Sequence, residues 1–387
     1  MLLPVFHPKT SALLLLAAAL GCAGTLRDGP WMRPLVSSPA GGECTSRTGV
    51  VAWTLPASES DAAVLGRWCS GVGPVAMDAF EGASPEAVDA LVLVTWNVHV
   101  GGGDLVGFVQ DLRSGALTGA PVESFVLLLQ EAYREGSEVP RDPGPYAMSR
   151  IDAQPRSGAR IDVVEAARRL GLHLFYAPSM RNGGAAAAGA NAEDRGNAIL
   201  STHPLEDLAA IELPFEVQRR VAVAGTLSAT TREGHLWSLR VVSGHLDTRT
   251  RWSRALDSFG AARARQAEAL LQALEGPAVV LGADLNTWSA GFLEEAVPLL
   301  RAGFPQTPEV TGPTFLAAGV LPRRLDHLLF RLPPGYQARA WRVDDRYGSD
   351  HFPLLAVVRF GAEPLGRPHP AVARNTVSVA TQSASRR

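Results

Sequence analysis

VVLGADLNTW, residues 279–288, is the stretch from which the fold is read. Aliphatic residues run to Gly282 and Ala283, and Asp284, Leu285 and Asn286 follow. A buried strand that stops this way delivers polar side chains at its end, and residues two apart on extended backbone share a face. Asp284 and Asn286 are therefore expected in one pocket, with Leu285 turned to the core. A carboxylate beside an amide suits a metal-held water and a phosphate oxygen. A strand followed by an Asx turn is the plain alternative, since Asp and Asn favour such turns unaided.

Other strands end alike. LVLVTWN (91–97) finishes at Asn97 and FVLLLQ (125–130) runs into Glu131. LWSLRVVSG (236–244) leads to His245, Asp326 opens LDHLLF (325–330), and Asp350-His351 precede PLLAVVRF (353–360). Buried charge without a partner is costly, so so many polar strand ends call for shared partners at one edge. A divalent ion and a substrate phosphate would satisfy them together. Oxygen donors without Cys or paired His favour Mg²⁺, Mn²⁺ or Ca²⁺ over zinc. Asp326 could hold the Nδ1–H of His351, fixing a ring that activates water or steadies a transition-state oxygen.

Helices are expected near 104–112, over 161–170, over 254–274 ahead of Gly276-Pro277, and near 291–300. Strands are also expected in LHLFYA, NAILS (197–201) and VAVAGTLSA (221–229), the last pairing with 236–244 as an antiparallel hairpin. Residues 181–192 read as a Gly/Ala loop. Strand groups with helices between them predict packed sheets with outer helices, in one domain over 90–360.

The chain has 387 residues, 46% hydrophobic and 19% charged, enough for a sizeable core. A net charge of −2, from 36 basic and 38 acidic residues, argues against binding nucleic acid by global charge. His7 and Lys9 precede a short apolar run that ends at Gly21 and Cys22, the pattern of a signal peptide over 1–22. ALGC (19–22) resembles a lipobox with Ala where Leu is usual, so a lipidated Cys22 would tether a periplasmic, membrane-anchored or secreted protein. In an exported chain Cys44 and Cys69 invite a disulfide. Residues 23–89 read as an N-terminal extension and linker, with Trp31, Trp53 and Trp68 packing on something. Residues 361–387 read as a disordered tail.

TWNVH, LLQE, RGNAILS, SGHLD, GADLNTW, LDHLLF and GSDHFPL occur in an order that resembles the endonuclease/exonuclease/phosphatase family, which includes deoxyribonuclease-like enzymes. The resemblance implies a four-layer α/β/β/α sandwich, two mixed sheets face to face with helices outside, and metal-dependent hydrolysis of phosphate esters. By motif, Glu131 resembles the principal metal carboxylate, assisted by Asn97 and Asp350. His245 would contact the scissile phosphate or leaving group, and Asp284 would orient the attacking water. Asn286 and Asn97 would hold phosphate oxygens, His351 steadied by Asp326 would complete the site, and Asn197 would support it. Two departures stand out: Ala283 replaces a usual Gly, and Trp96 a common Tyr.

Loops rather than fold select the substrate. The aromatic-Cys-Asp-Arg sequence of inositol-polyphosphate phosphatases is absent, Arg323-Arg324 standing in its place, and export disfavours abasic-site repair. A nuclease is the favoured reading, with a sphingomyelinase-like lipid phosphodiesterase as the alternative and a non-catalytic envelope binding protein as another. Arg249, Arg251, Arg254, Arg263 and Arg265 are expected to form a phosphate track or a solvated helix face. Trp252 and Trp288 could stack on bases, meet lipid or simply pack.

Overall fold

The structure is a computed structural model, and it describes residues 31–34, 51–80, 87–142, 160–183, 191–248, 260–288, 294–317 and 319–361. The signal-peptide, lipobox and tail segments lie outside them, as do Cys44, residues 184–190, Arg249, Arg251, Arg254 and Trp252.

Two seven-stranded sheets form the centre. One contains β4 (Ala90–Asn97), β5 (Phe125–Gly136), β6 (His173–Asn182), β7 (Ala192–Ser201) and β16 (Leu354–Phe360), with β3 (Ala76–Asp78) and β15 (Tyr336–Arg342) at its edges. Its order is β15-β16-β4-β5-β7-β6-β3. The other runs β1-β2-β8-β9-β10-β11-β14, from β1 (Met32–Pro34), β2 (Ala52–Pro56) and β8 (Glu206–Glu212) through β9 (Val221–Thr230), β10 (Leu236–His245) and β11 (Val279–Asp284) to β14 (Asp326–Arg331). A separate hairpin pairs β12 (Phe315–Ala317) with β13 (Leu321–Arg323).

Three apolar clusters account for the layering. Leu93, Leu128, Val223, Val241 and Val280 fill the space between the sheets. Val94 and Leu127 face outward and pack against α2 (Leu105–Ser114) and α3 (Val163–Leu170). Val242 and Leu281 face outward on the other side, beneath α4 (Ala261–Ala273) and α5 (Ala296–Gly303). Strands buried on both faces read as unbroken apolar runs, which is why LVLVTWN and FVLLLQ were legible. The sheets approach closely at Gly282, where a Cβ would lie 2.7 Å from the Thr95 Cβ. This is the expected four-layer sandwich.

Facing strands pair off across the sandwich: β16 with β14, β4 with β11, β5 with β10 and β7 with β9. Because β4–β5 and β10–β11 are parallel pairs, their C-terminal ends share one edge. In register, His245 stands beside Asp284, and Asp284 beside Asp326.

Residues 51–78 do more than link. β2 pairs in parallel with β8, β3 pairs with β6, and α1 (Glu59–Cys69) carries Trp68 into contact with Phe215. The sandwich thus begins ahead of residue 90, and both Trp53 and Trp68 are buried. Short strands with irregular burial gave this segment no clean period to read. Arg181 and Asn182 belong to β6, not to the loop expected there. β8, β15 and the β12–β13 hairpin were not anticipated. Cys69 is disulfide-bonded.

Candidate active site

At the edge where the parallel pairs end, polar side chains line a solvent-open cleft of about 790 Å³, its mouth included. Asn97, Glu131, His245, Asp284, Asn286, Asp350 and His351 all face it. Asp326 lies directly behind, fully buried.

Asp284 is the hub. Its Oδ1 accepts from the Asn286 backbone N–H at 2.9 Å, and its Oδ2 accepts from Asn97 Nδ2 at 3.0 Å. An Asx turn is present, and Asp284 and Asn286 also line one cleft, as expected. Asn286 adopts φ +50°, so the turn rather than strand alternation places its amide. Asn286 Nδ2 donates to the Leu246 carbonyl and to His245 Nε2, each at 2.9 Å. His245 therefore presents Nε2 as an acceptor and is neutral. Burial, helped by the Arg220 charge, holds its pKa well below the ordinary histidine range.

His351 is the opposite case. Its Nδ1 lies 2.7 Å from Asp326 Oδ2, while Nε2 points between Asp284 and Asp350, 3.9 Å from each. Burial alone would discharge the ring, but Asp326, Asp284 and Asp350 together outweigh it and raise the pKa to about 10. The Phe315 ring packs 4.7 Å from the imidazole. Ser349 Oγ accepts from the His351 N–H and donates to the Asn97 carbonyl, and Trp96 Nε1 donates to the His351 carbonyl. The indole at 96 thus helps fix the histidine. Ala283 needs no positive φ and is fully buried, so that departure is absorbed too.

Glu131 does not end its strand. It sits at a β-bulge inside β5, with φ +52°. A bulge re-aims one side chain without stopping the strand, and non-glycine residues at positive φ collect at functional sites. Burial would raise its pKa, but Arg195, His245, Arg220 and His351 bring it below the usual range. The carboxylate of Glu131, that of Asp350 and the remaining lone pair of Asn97 Oδ1 form a hard oxygen set suited to a divalent cation. Asp284, Asp326 and His351 also have ligand-type atoms within 4.8 Å of one another. Asp326 and His351 are already bonded to each other, so their own pairing accounts for that cluster.

Asn197 does not line the cleft. It is buried between the sheets, where its Nδ2 donates to the Val221 carbonyl at 2.6 Å. The expected arginine track fails for both members that can be placed. Arg263 is buried in a bidentate pair with Glu294, and Arg265 pairs with Glu216. Neither forms a solvated face. Trp288 is 38% exposed at the cleft rim, edge-on to Phe315.

Several cleft residues were missed: His99, Arg195, Gln218, Arg220 and Phe315. Arg195 was within reach of the sequence, because it lies two residues before Asn197 on the same strand face. Asp247 of SGHLD was quoted without a role. Its Oδ2 accepts from the Val217 and Gln218 N–H groups at 2.7 and 2.8 Å, which fixes the loop that carries Gln218.

The chain belongs to the endonuclease/exonuclease/phosphatase family, whose profile matches residues 94–351. Among solved structures it is similar to an endonuclease/exonuclease/phosphatase from Beutenbergia cavernae, with 19% identity, a TM-score of 0.47, and coverage of 73% of this chain and 74% of that one. It is also similar to D. rerio TDP2 complexed with a single-strand DNA product, with 13% identity, a TM-score of 0.41, and coverage of 70% and 100%. The beta toxin of Staphylococcus aureus follows at 14% identity, with a TM-score of 0.36 and coverage of 69% and 99%. No curated protein matches the chain.

Proposed function

We propose that the protein is an exported, divalent-metal-dependent phosphodiesterase whose favoured substrate is a nucleic acid. The observation that carries this reading is Asp284, held by Asn97 and the Asn286 backbone amide in a cleft that Glu131, His245, Asp350 and His351 also line. Glu131, Asp350 and Asn97 would hold the cation, with Mg²⁺ or Mn²⁺ favoured by the oxygen set and Ca²⁺ next. Such an ion polarises phosphoryl oxygens.

The residues divide the remaining work. Asp284 orients the attacking water and accepts its proton. His351 stays protonated across neutral pH, so it donates a hydrogen bond to a phosphoryl oxygen that gains charge and does not act as the base. Asp326 keeps that ring charged and oriented. Asn286 holds neutral His245, whose ring hydrogen-bonds the substrate without carrying a charge. Phe315 and the half-exposed Trp288 give a base a stacking surface. The disulfide at Cys69 accords with an oxidising compartment.

One observation favours lipid as a second reading. Val320 and Leu321, at the tip of the β12–β13 hairpin, are 75% and 52% exposed, and the same hairpin carries Phe315 to the cleft. Hydrolysis of plasmid DNA, RNA, sphingomyelin and bis-p-nitrophenyl phosphate with Mg²⁺ or Mn²⁺ separates the readings. Cleavage of DNA or RNA, lost in Asp284→Ala, supports the nuclease. Turnover of sphingomyelin alone replaces it with the lipid enzyme, and silence on every ester leaves a binding scaffold.

A further inference from the structure

The strand pairing sets side chains out across the cleft in four steps. His351 and Asp326 belong to the β16/β14 step, Asn97 and Asp284 to β4/β11, and Glu131 and His245 to β5/β10. At the β7/β9 step stand Arg195 and Arg220, with Gln218 beside them. Neighbouring strands lie roughly 5 Å apart, so the arginines sit about two strand spacings, roughly 10 Å, from Asp284.

Three other buried arginines are paired with carboxylates. Arg134 meets Asp194 and Arg263 meets Glu294, each at 2.6 Å, and Arg219 pairs with Glu212. Arg220 is different. It is only 5% exposed, and its Nη2 donates to the neutral Gln218 Oε1 at 2.9 Å. Its Nε is buried with no hydrogen-bond partner, and the carboxylates whose charge it feels, Asp247, Glu131 and Asp284, do not outweigh the cost of its burial. Arg195 lies 3.8 Å from Glu131, the carboxylate a metal would claim. A buried guanidinium without an anion is costly, and such sites persist where an anion arrives from outside.

The backbone holds this pair ready. Ser179 Oγ accepts from the Val221 N–H at 3.2 Å, and Asn197 Nδ2 grips the Val221 carbonyl. Asp247 accepts from the Gln218 backbone N–H, and Arg219 is drawn away by Glu212 and the Pro178 carbonyl. Successive side chains then point oppositely, so Arg220 is left for the cleft.

We propose that Arg195, Arg220 and Gln218 form a second anion subsite, which takes a phosphoryl group adjoining the one that is cleaved. This deepens the phosphodiesterase reading and rests on it. The preferred substrate carries two phosphoryl groups close together, as neighbouring linkages of a nucleic-acid backbone do, whereas sphingomyelin carries one.

Binding tests this without turnover. Full-length protein carrying Asp284→Asn, with Mg²⁺ present, is titrated calorimetrically with thymidine 3′,5′-bisphosphate and with thymidine 5′-monophosphate. The bisphosphate should bind at least tenfold tighter, and Arg220→Gln should reduce that ratio to near one, with Arg220→Lys retaining part of it. Equal affinities, or a ratio unchanged by Arg220→Gln, overturn the proposal. If circular dichroism shows that Arg220→Gln does not fold, Arg195→Gln decides: a reduced ratio supports the subsite and an unchanged one overturns it. The titrations read binding alone, so loss of the preference and loss of hydrolysis are separate results.

Discussion

The two ends of the cleft are built on different principles. At the β16/β14 and β4/β11 steps, side chains hold side chains: Asp326 holds His351, and Asn97 holds Asp284. At the β7/β9 end, the backbone is clamped and one guanidinium is left short of partners: Ser179 and Asn197 grip Val221, while Arg220 faces the cleft with its Nε unbonded. A closed hydrogen-bond network suits proton handling, since each member sets its neighbour's charge state. An open pair of guanidiniums suits binding of an anion that comes and goes. On the proposed reading, one sandwich edge separates Asp284 from the anion subsite by about two strand spacings.

The contrast can be broken most forcibly at Asp284. Asp284→Asn keeps the shape but removes the proton acceptor, and kcat should fall by at least about a thousandfold with any phosphodiester, read by bis-p-nitrophenyl phosphate hydrolysis. Asp326→Asn should lower kcat by roughly a hundredfold and move the His351 pKa down from about 10, measured by NMR titration of the imidazole. The sign follows from the pairing: the carboxylates favour the charged ring, so removing one favours its neutral form. The raised pKa stabilises the fold fully below about pH 6.5, and that contribution disappears as pH rises through about 10.

At the other end the expected losses are of stability and positioning. Arg263 pairs with Glu294 and donates to the Thr248 carbonyl at the cleft wall. Arg263→Ala should destabilise the protein by about 3–5 kcal/mol in urea unfolding, because it strands a buried carboxylate. Salt dependence of DNA binding should stay unchanged, unlike that of a residue in a phosphate track. Smallest of all, Asn197→Ala loosens Val221 beside Arg220 and should raise KM a few-fold at nearly constant kcat.

Legibility in the sequence followed burial. Strands covered on both faces were read from unbroken apolar runs, and their polar termini gave Asn97, His245, Asp284, Asn286, Asp326 and His351. Glu131 was found by motif, but its bulge was not visible, since one inserted residue leaves no mark on an apolar run. β15 was missed because all of YQARAWR is half-buried at a sheet edge, without alternation. Arg263 and Arg265 misled because a charge run carries no sign of its buried partners, Glu294 and Glu216. Arg220 escaped for the converse reason: its importance lies in a partner that the protein itself does not supply.

The central claim is that these strand ends surround one hard cation next to Asp284. Hydrolysis of bis-p-nitrophenyl phosphate titrated with Mg²⁺, in the wild type and in Glu131→Gln, tests it most directly. Saturable activation is expected in the wild type, and in the variant a dependence shifted to at least tenfold higher Mg²⁺ or lost altogether. Hydrolysis that persists in EDTA, or a Glu131→Gln curve superimposable on the wild type, would contradict it.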